Sequence, residues 1–140
     1  SACLVGSEMC IRDRSGPAML NGSEIHGSRR ADLETAMVAT GFGYDASVRA
    51  RQGEVLARLL PRVRDIRRVG AAAMDLAWTA CGRFDAYYER GVKAWDIAAG
   101  TLIAQRAGLV VRELPAAGED PAGVVVAPGA LIDELEGLVA

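Results

Sequence analysis

The sequence predicts an α/β protein in which a sheet and helices form layers. Two observations carry that reading. Short apolar runs bounded by glycine or proline alternate with longer segments of helical period, and such alternation packs as layers. Apolar types make up 51% of the 140 residues, too many for a disordered chain. Aromatics are only 5%, so Ala, Val, Leu and Ile must build the core.

The elements follow in order. Asn21-Gly22, between residues 17–21 and 24–27, is a hairpin signal. Residues 28–32 are polar and read as a loop. Residues 36–40 (AMVAT) form a short buried strand, broken by Gly41 and Gly43. Residues 46–60 are helical: Val48, Val55, Leu56, Leu59 and Leu60 share a face, with Arg49, Arg51, Gln52 and Arg58 opposite. Pro61 ends that helix. Residues 63–69 alternate like a strand with one partly solvated face, and Gly70 marks a turn. Residues 71–81 form a small-residue helix that stops at Gly82. A strand at 84–89 and a loop at 91–94 follow. The helix at 95–107 is apolar around most of its circumference, which predicts burial on more than one side. Gly108 stops it. Strands at 110–114 and 124–127 flank a loop at 115–123. Pro128 opens a last helix through Val139, with Leu131, Leu135 and Leu138 on one stripe.

Sixteen basic residues face eighteen acidic ones, for a net charge of −2. That balance argues against a general nucleic-acid binder. No apolar run approaches the ~18 residues of a membrane span. The expected partners therefore include neither nucleic acid nor membrane. Residues 1–14 (SACLVGSEMCIRDR) show no helical or strand period. They resemble a translated sequencing adaptor and lack the parts of a secretory signal. They are set apart as a non-native leader from a domain at 15–140. Of Cys3, Cys10 and Cys81 only Cys81 then remains, which predicts no disulfide framework and a reducing, cytoplasmic setting.

Three short segments could carry chemistry. Asp96 sits where a loop becomes a helix; it either caps the free N–H groups there or offers oxygen to a hard cation such as Mg2+. Gly70, followed by Ala71 and Ala72, opens a helix whose unpaired N–H groups suit an anion or a hydroxyl, or is simply a tight turn. Glu89 ends a strand, as a binding-site carboxylate or a solvated strand end.

These segments in this order resemble the inositol monophosphatase family. RRVGAAAMDLA, then GRFDAYYERGVKAWDIAAG, is similar to the family's carboxyl-terminal half, and GPAMLNGSEIHGSRRADLETAMVATGFGYD resembles the segment before it. Residues 15–140 are covered. The resemblance implies a layered mixed sheet and helices of the sugar-phosphatase fold and a Mg2+-dependent phosphomonoesterase with a small phosphorylated polyol as substrate. It implies that Asp96 ligates metal near the phosphate-bearing hydroxyl, that Glu89 accepts from a substrate hydroxyl, and that Gly70, Ala71 and Ala72 line the polyol pocket. Paired metals lower the pKa of a bound water and stabilise the leaving alkoxide. A homodimer is implied for the full-length parent.

Three departures from the family pattern stand out. Ala71 replaces the usual Ser or Thr. Arg106-Ala107-Gly108-Leu109 replaces Glu-Ala-Gly-Gly. The first signature, Asp-Pro-x-Asp-Gly-Thr, which supplies most metal ligands and the water-activating pair, does not occur in the chain. One Asp falls far short of six oxygens, so the chain alone is expected to be inactive.

Two other classes compete. Gly41-x-Gly43-x-x-Ala46 after a strand matches a dinucleotide fingerprint, with Asp65 ~20 residues on. A non-catalytic interaction fragment exposing apolar surface is the other. The remaining residues have plain readings: His26 as hairpin surface, Cys81 as a buried thiol, and the arginines at 58, 62, 64, 67 and 68 as a solvated face or a subunit contact. Trp78 and Trp95 are expected to be packing anchors.

Overall fold

A computed structural model describes residues 16–140 in full and, before them, only the backbone of two strands, Ala2–Val5 (β1) and Glu8–Ile11 (β2). These strands lie where the sequence shows no strand period. β1 pairs with β2, and β2 with β3 (Met19–Leu20). β3 turns back into β4 (Ser23–Glu24) through Asn21 and Gly22, whose φ values are 50° and 83°. Both positive angles belong to the hairpin turn that Asn-Gly favours.

The second sheet organises the molecule. Its strands are β5 (Met37–Thr40), β6 (Asp65–Arg67), β7 (Ala86–Arg90), β8 (Val110–Leu114) and β9 (Gly123–Ala127), in the order β6-β5-β7-β9-β8. β5, β6 and β7 run parallel, and β9 runs antiparallel to both β7 and β8. Helices α1 (Ala46–Leu59) and α2 (Ala72–Ala80) link the parallel strands; α3 (Ala94–Arg106) and α4 (Ile132–Val139) complete the layers.

Strand alternation sorts the core onto two faces. Ala39, Tyr87, Val124 and Val126 meet Leu76, Ala77, Ala80, Ile103 and Ala104 of α2 and α3. Val38, Ala86, Tyr88 and Val125 meet Leu59, Leu135 and Val139 of α1 and α4. α2 and α3 touch at Gly100, where an added Cβ would stand 2.6 Å from Leu76 Cβ. The buried Arg90 guanidinium donates to the carbonyls of Pro115, Pro121 and Val139, tying the 115–121 loop to the end of α4.

Several expectations need correction. The strand at 63–69 shrinks to three residues because it lies at the sheet edge with one partner. α4 begins at Ile132, after a turn from Pro128. On α1 only Leu59 is buried and Leu60 is 52% exposed, while Arg51 and Gln52 are half-buried because they bond to Asp120 and Gly43. The first turns of α3 are exposed, since only one side meets α2 and the sheet. Trp95 is 79% exposed and packs as no anchor. Cys81 is half-buried.

Candidate functional site

The parallel strands β6, β5 and β7 end on one edge of the sheet, and their outgoing loops enclose a cleft of about 490 Å3. A crevice beyond the carboxyl ends of parallel strands is where open α/β sheets bind ligands. Gly70, Ala71, Ala72, Glu89 and Asp96 all line this cleft. The sequence separates them by up to 26 positions; the sheet brings them together.

Glu89 is held from two sides. The Tyr87 hydroxyl donates to Glu89 Oε2 at 2.8 Å, and a Cβ placed on Gly41 would lie 2.2 Å from the carboxylate. Gly41 therefore makes room for the acid. Burial raises the Glu89 pKa; the Tyr87 hydrogen bond and the charge of Arg68 oppose that rise. Tyr87 itself is fully buried, and burial pushes its phenol up.

Asp75, on α2 behind the cleft, was not singled out by the sequence. Its Oδ1 accepts the Val69 N–H at 3.3 Å, and its Oδ2 is buried with no hydrogen-bond partner among the described residues. Burial raises its pKa to about 6, with Glu89 adding to the rise. Asp85, at the opposite end of β7, accepts from Ser28, Arg30 and the Met37 N–H and so anchors the chain there.

The turn at Gly70 has φ +94°, which glycine adopts without strain. Ala71 is the N-cap of α2 and supplies no side-chain cap, so a Ser or Thr hydroxyl that would satisfy first-turn N–H groups is absent here. Arg106 falls in the last turn of α3, where a cation complements the negative helix end. That gives a structural account of the charge.

Asp96 lies in the first turn of α3, and its Oδ2 accepts the Lys93 N–H at 3.3 Å. The carboxylate caps the helix and also faces the cleft. Among the described residues no group of three or more His, Cys, Asp or Glu stands together to hold a metal. Mg2+ takes six oxygens, so the residues present do not make a complete Mg2+ site.

The dinucleotide fingerprint does not survive the geometry. Asp65 pairs in register with Met37, at the start of β5, whereas Gly41 follows its end. The Asp45 side chain accepts the Ser47 N–H at 2.7 Å, placing a carboxylate where a pyrophosphate would meet α1.

Layers, sheet order and a cleft at the strand ends define a sugar-phosphatase-type α/β fold. The chain belongs to the inositol monophosphatase family, whose family model matches residues 2–135. It is 51% identical over 121 residues to the inositol-1-monophosphatase of Mycobacterium leprae, covering 84% of this chain and 39% of the relative. It is 38% identical over 108 residues to the Nus factor SuhB of Escherichia coli, covering 76% of this chain and 40% of that protein. The solved structure of Mycobacterium tuberculosis SuhB superposes with a TM-score of 0.84 at 39% identity, over 94% of this chain and 54% of that one. The chain thus spans about two fifths of these curated relatives and about half of the solved structure. Among the described residues no helix is long and apolar enough to cross a membrane.

Proposed function

We propose that this chain forms the substrate-side wall of a Mg2+-dependent phosphomonoesterase acting on inositol phosphate or a related polyol or sugar phosphate. The observation that carries the reading is the fixed Glu89 carboxylate: Tyr87 and Gly41 hold it in the cleft that Asp96 and the 70–72 turn also line. A half-buried acceptor with one oxygen already bonded leaves the other for a ligand hydroxyl. Backbone N–H groups at Ala71 and Ala72 add donors to the same wall. Asp96 contributes one carboxylate toward Mg2+, and no cluster of further ligands stands among the described residues.

In this reading the whole protein is a cytoplasmic homodimer, residues 15–140 are its carboxyl-terminal part, and the 140-residue chain alone is inactive. Residues 1–14 are set apart from that part by their aperiodic sequence alone, since the family model's match begins at residue 2. A chain starting at Ser15 is then expected to keep the melting temperature and ligand binding of the longer one.

The decisive experiment is co-expression with the amino-terminal half of a family member, followed by assay of phosphate release from inositol 1-phosphate. Mg2+-dependent release by the pair, none by the chain alone, and loss in the Glu89→Gln pair are expected. Release by the 140-residue chain alone, or an associated pair that stays inactive, overturns the reading.

A further inference from the structure

Arg68 leaves the end of β6 and lines the cleft with its side chain exposed to it. Its guanidinium lies 5.7 Å from the centroid of the Phe42 ring, a distance at which a cation and an aromatic face attract. The ring steadies the flat face of the group and leaves its N–H edges open.

Neighbouring arginines are engaged elsewhere. Arg67 pairs with Asp65, Arg62 with Glu134, and Arg51 with Glu119 and Asp120. Arg90, the other basic residue at the cleft, points its guanidinium at three backbone carbonyls. Arg68 makes no ion pair with any described residue, although its charge is felt at both Glu89 and Asp75.

We infer that Arg68, steadied by Phe42, is a second oxyanion-binding position, so that the cleft favours a polyol or sugar phosphate bearing a further phosphate or carboxylate. The spacing fits such a ligand. β6 and β7 are separated by β5, so Arg68, just past the end of β6, stands about 10 Å from Glu89 near the end of β7. A hydroxyl-bearing ring that meets Glu89, which follows from the proposed function, can carry an anionic group toward Arg68. A planar guanidinium with free edges matches a phosphate or a carboxylate in bidentate fashion.

The test is titration of the 140-residue chain, read by calorimetry and by the fluorescence of Trp95, which lines the same cleft. The probes are myo-inositol, a hexose monophosphate, a hexose bisphosphate and a hexonic acid phosphate, without added metal. The chain is expected to bind one or both doubly anionic probes about tenfold or more tightly than the monophosphate, and to lose that margin at high salt. Comparing the bisphosphate with the acid phosphate shows which second oxyanion is preferred. Arg68→Gln should erase the margin while myo-inositol still binds. Arg68→Lys, which keeps charge without the planar fork, should retain part of it.

Equal affinity for singly and doubly anionic probes overturns the inference, as does an unchanged margin in Arg68→Gln or a chain that binds no doubly anionic probe. Myo-inositol binding with no anion preference would sink Arg68's role while leaving the polyol reading intact. Failure of Glu89→Gln to alter myo-inositol binding would instead strike the polyol reading.

Discussion

Tyr87 and Glu89, two positions apart on β7, point to the same face of the strand, and the phenol donates to the acid at 2.8 Å. Period-two geometry puts them side by side. The core thus reaches up to grip the one acid at the strand end that the cleft needs.

Replacing Tyr87 with Phe removes this donor and little volume. A half-buried acceptor loses a partner, at a cost of about 1–3 kcal/mol. The expected result is a lower melting temperature, an intact circular dichroism spectrum and weaker myo-inositol binding by calorimetry. Unchanged binding would show that the hydrogen bond does not position Glu89.

Gly41→Ala is a sharper test of the same carboxylate. The new Cβ would stand 2.2 Å from it, so Glu89 must swing away. Polyol binding is expected to fall at least tenfold, with a stability loss of about 1–3 kcal/mol. Gly53→Ala, where an added Cβ meets nothing, serves as the control.

Asp75 makes stability depend on pH. Its folded pKa of about 6 lies above the ordinary value of 3.8, so the folded chain binds the extra proton first. Lowering the pH from 7 through 6 toward 4 therefore adds stability from this group, up to about 3 kcal/mol. The gain is full below the unfolded value and is lost as the pH rises through about 6. Glu89 contributes in the same direction, and Arg68 opposes both. Urea titrations at several pH values should show a smaller pH dependence in Asp75→Asn than in the parent.

Arg90→Met leaves the carbonyls of Pro115, Pro121 and Val139 without their donor. A loss of at least about 3 kcal/mol is expected. Hydrogen exchange should localise the loosening to the 115–121 loop and the end of α4.

Mg2+ at millimolar concentration should leave the melting temperature of this chain unchanged, because no described cluster of three ligands awaits it. A ligand stabilises only through its affinity for the folded state. A thermal shift that Asp96→Asn removes would show that Asp96 recruits the ion without the other ligands.

Local signals in the sequence were clear where the structure is local. Asn21-Gly22 turns as its dipeptide demands, and Gly70, Gly82 and Gly108 take positive φ at element ends. The motif residues meet in one cleft because each lies near the end of a parallel strand, in the turn that follows one, or in the opening turn of a helix. What stayed hidden depends on neighbours distant in the chain. Gly41 looks like a strand breaker until Glu89 is placed against it. Asp75 reads as an ordinary helix residue until its burial is known. The apolar turns of α3 foretold burial, but Trp95 stands 79% exposed, because only partners can cover a face and the sequence does not say which are present.

The strand order has a consequence for the order of assembly. β5 pairs with β6 and also with β7, where Val38 meets Ala86, and β7 waits for β9, where Tyr87 meets Val126. Such distant pairings must close long loops before any contact rewards them. A nascent chain emerging from a ribosome cannot form this cleft when Gly41 appears, nor when Gly70 does. The ligand wall comes into being only after β7 has docked, so a stall before that point yields a hairpin and helices with no recognition surface.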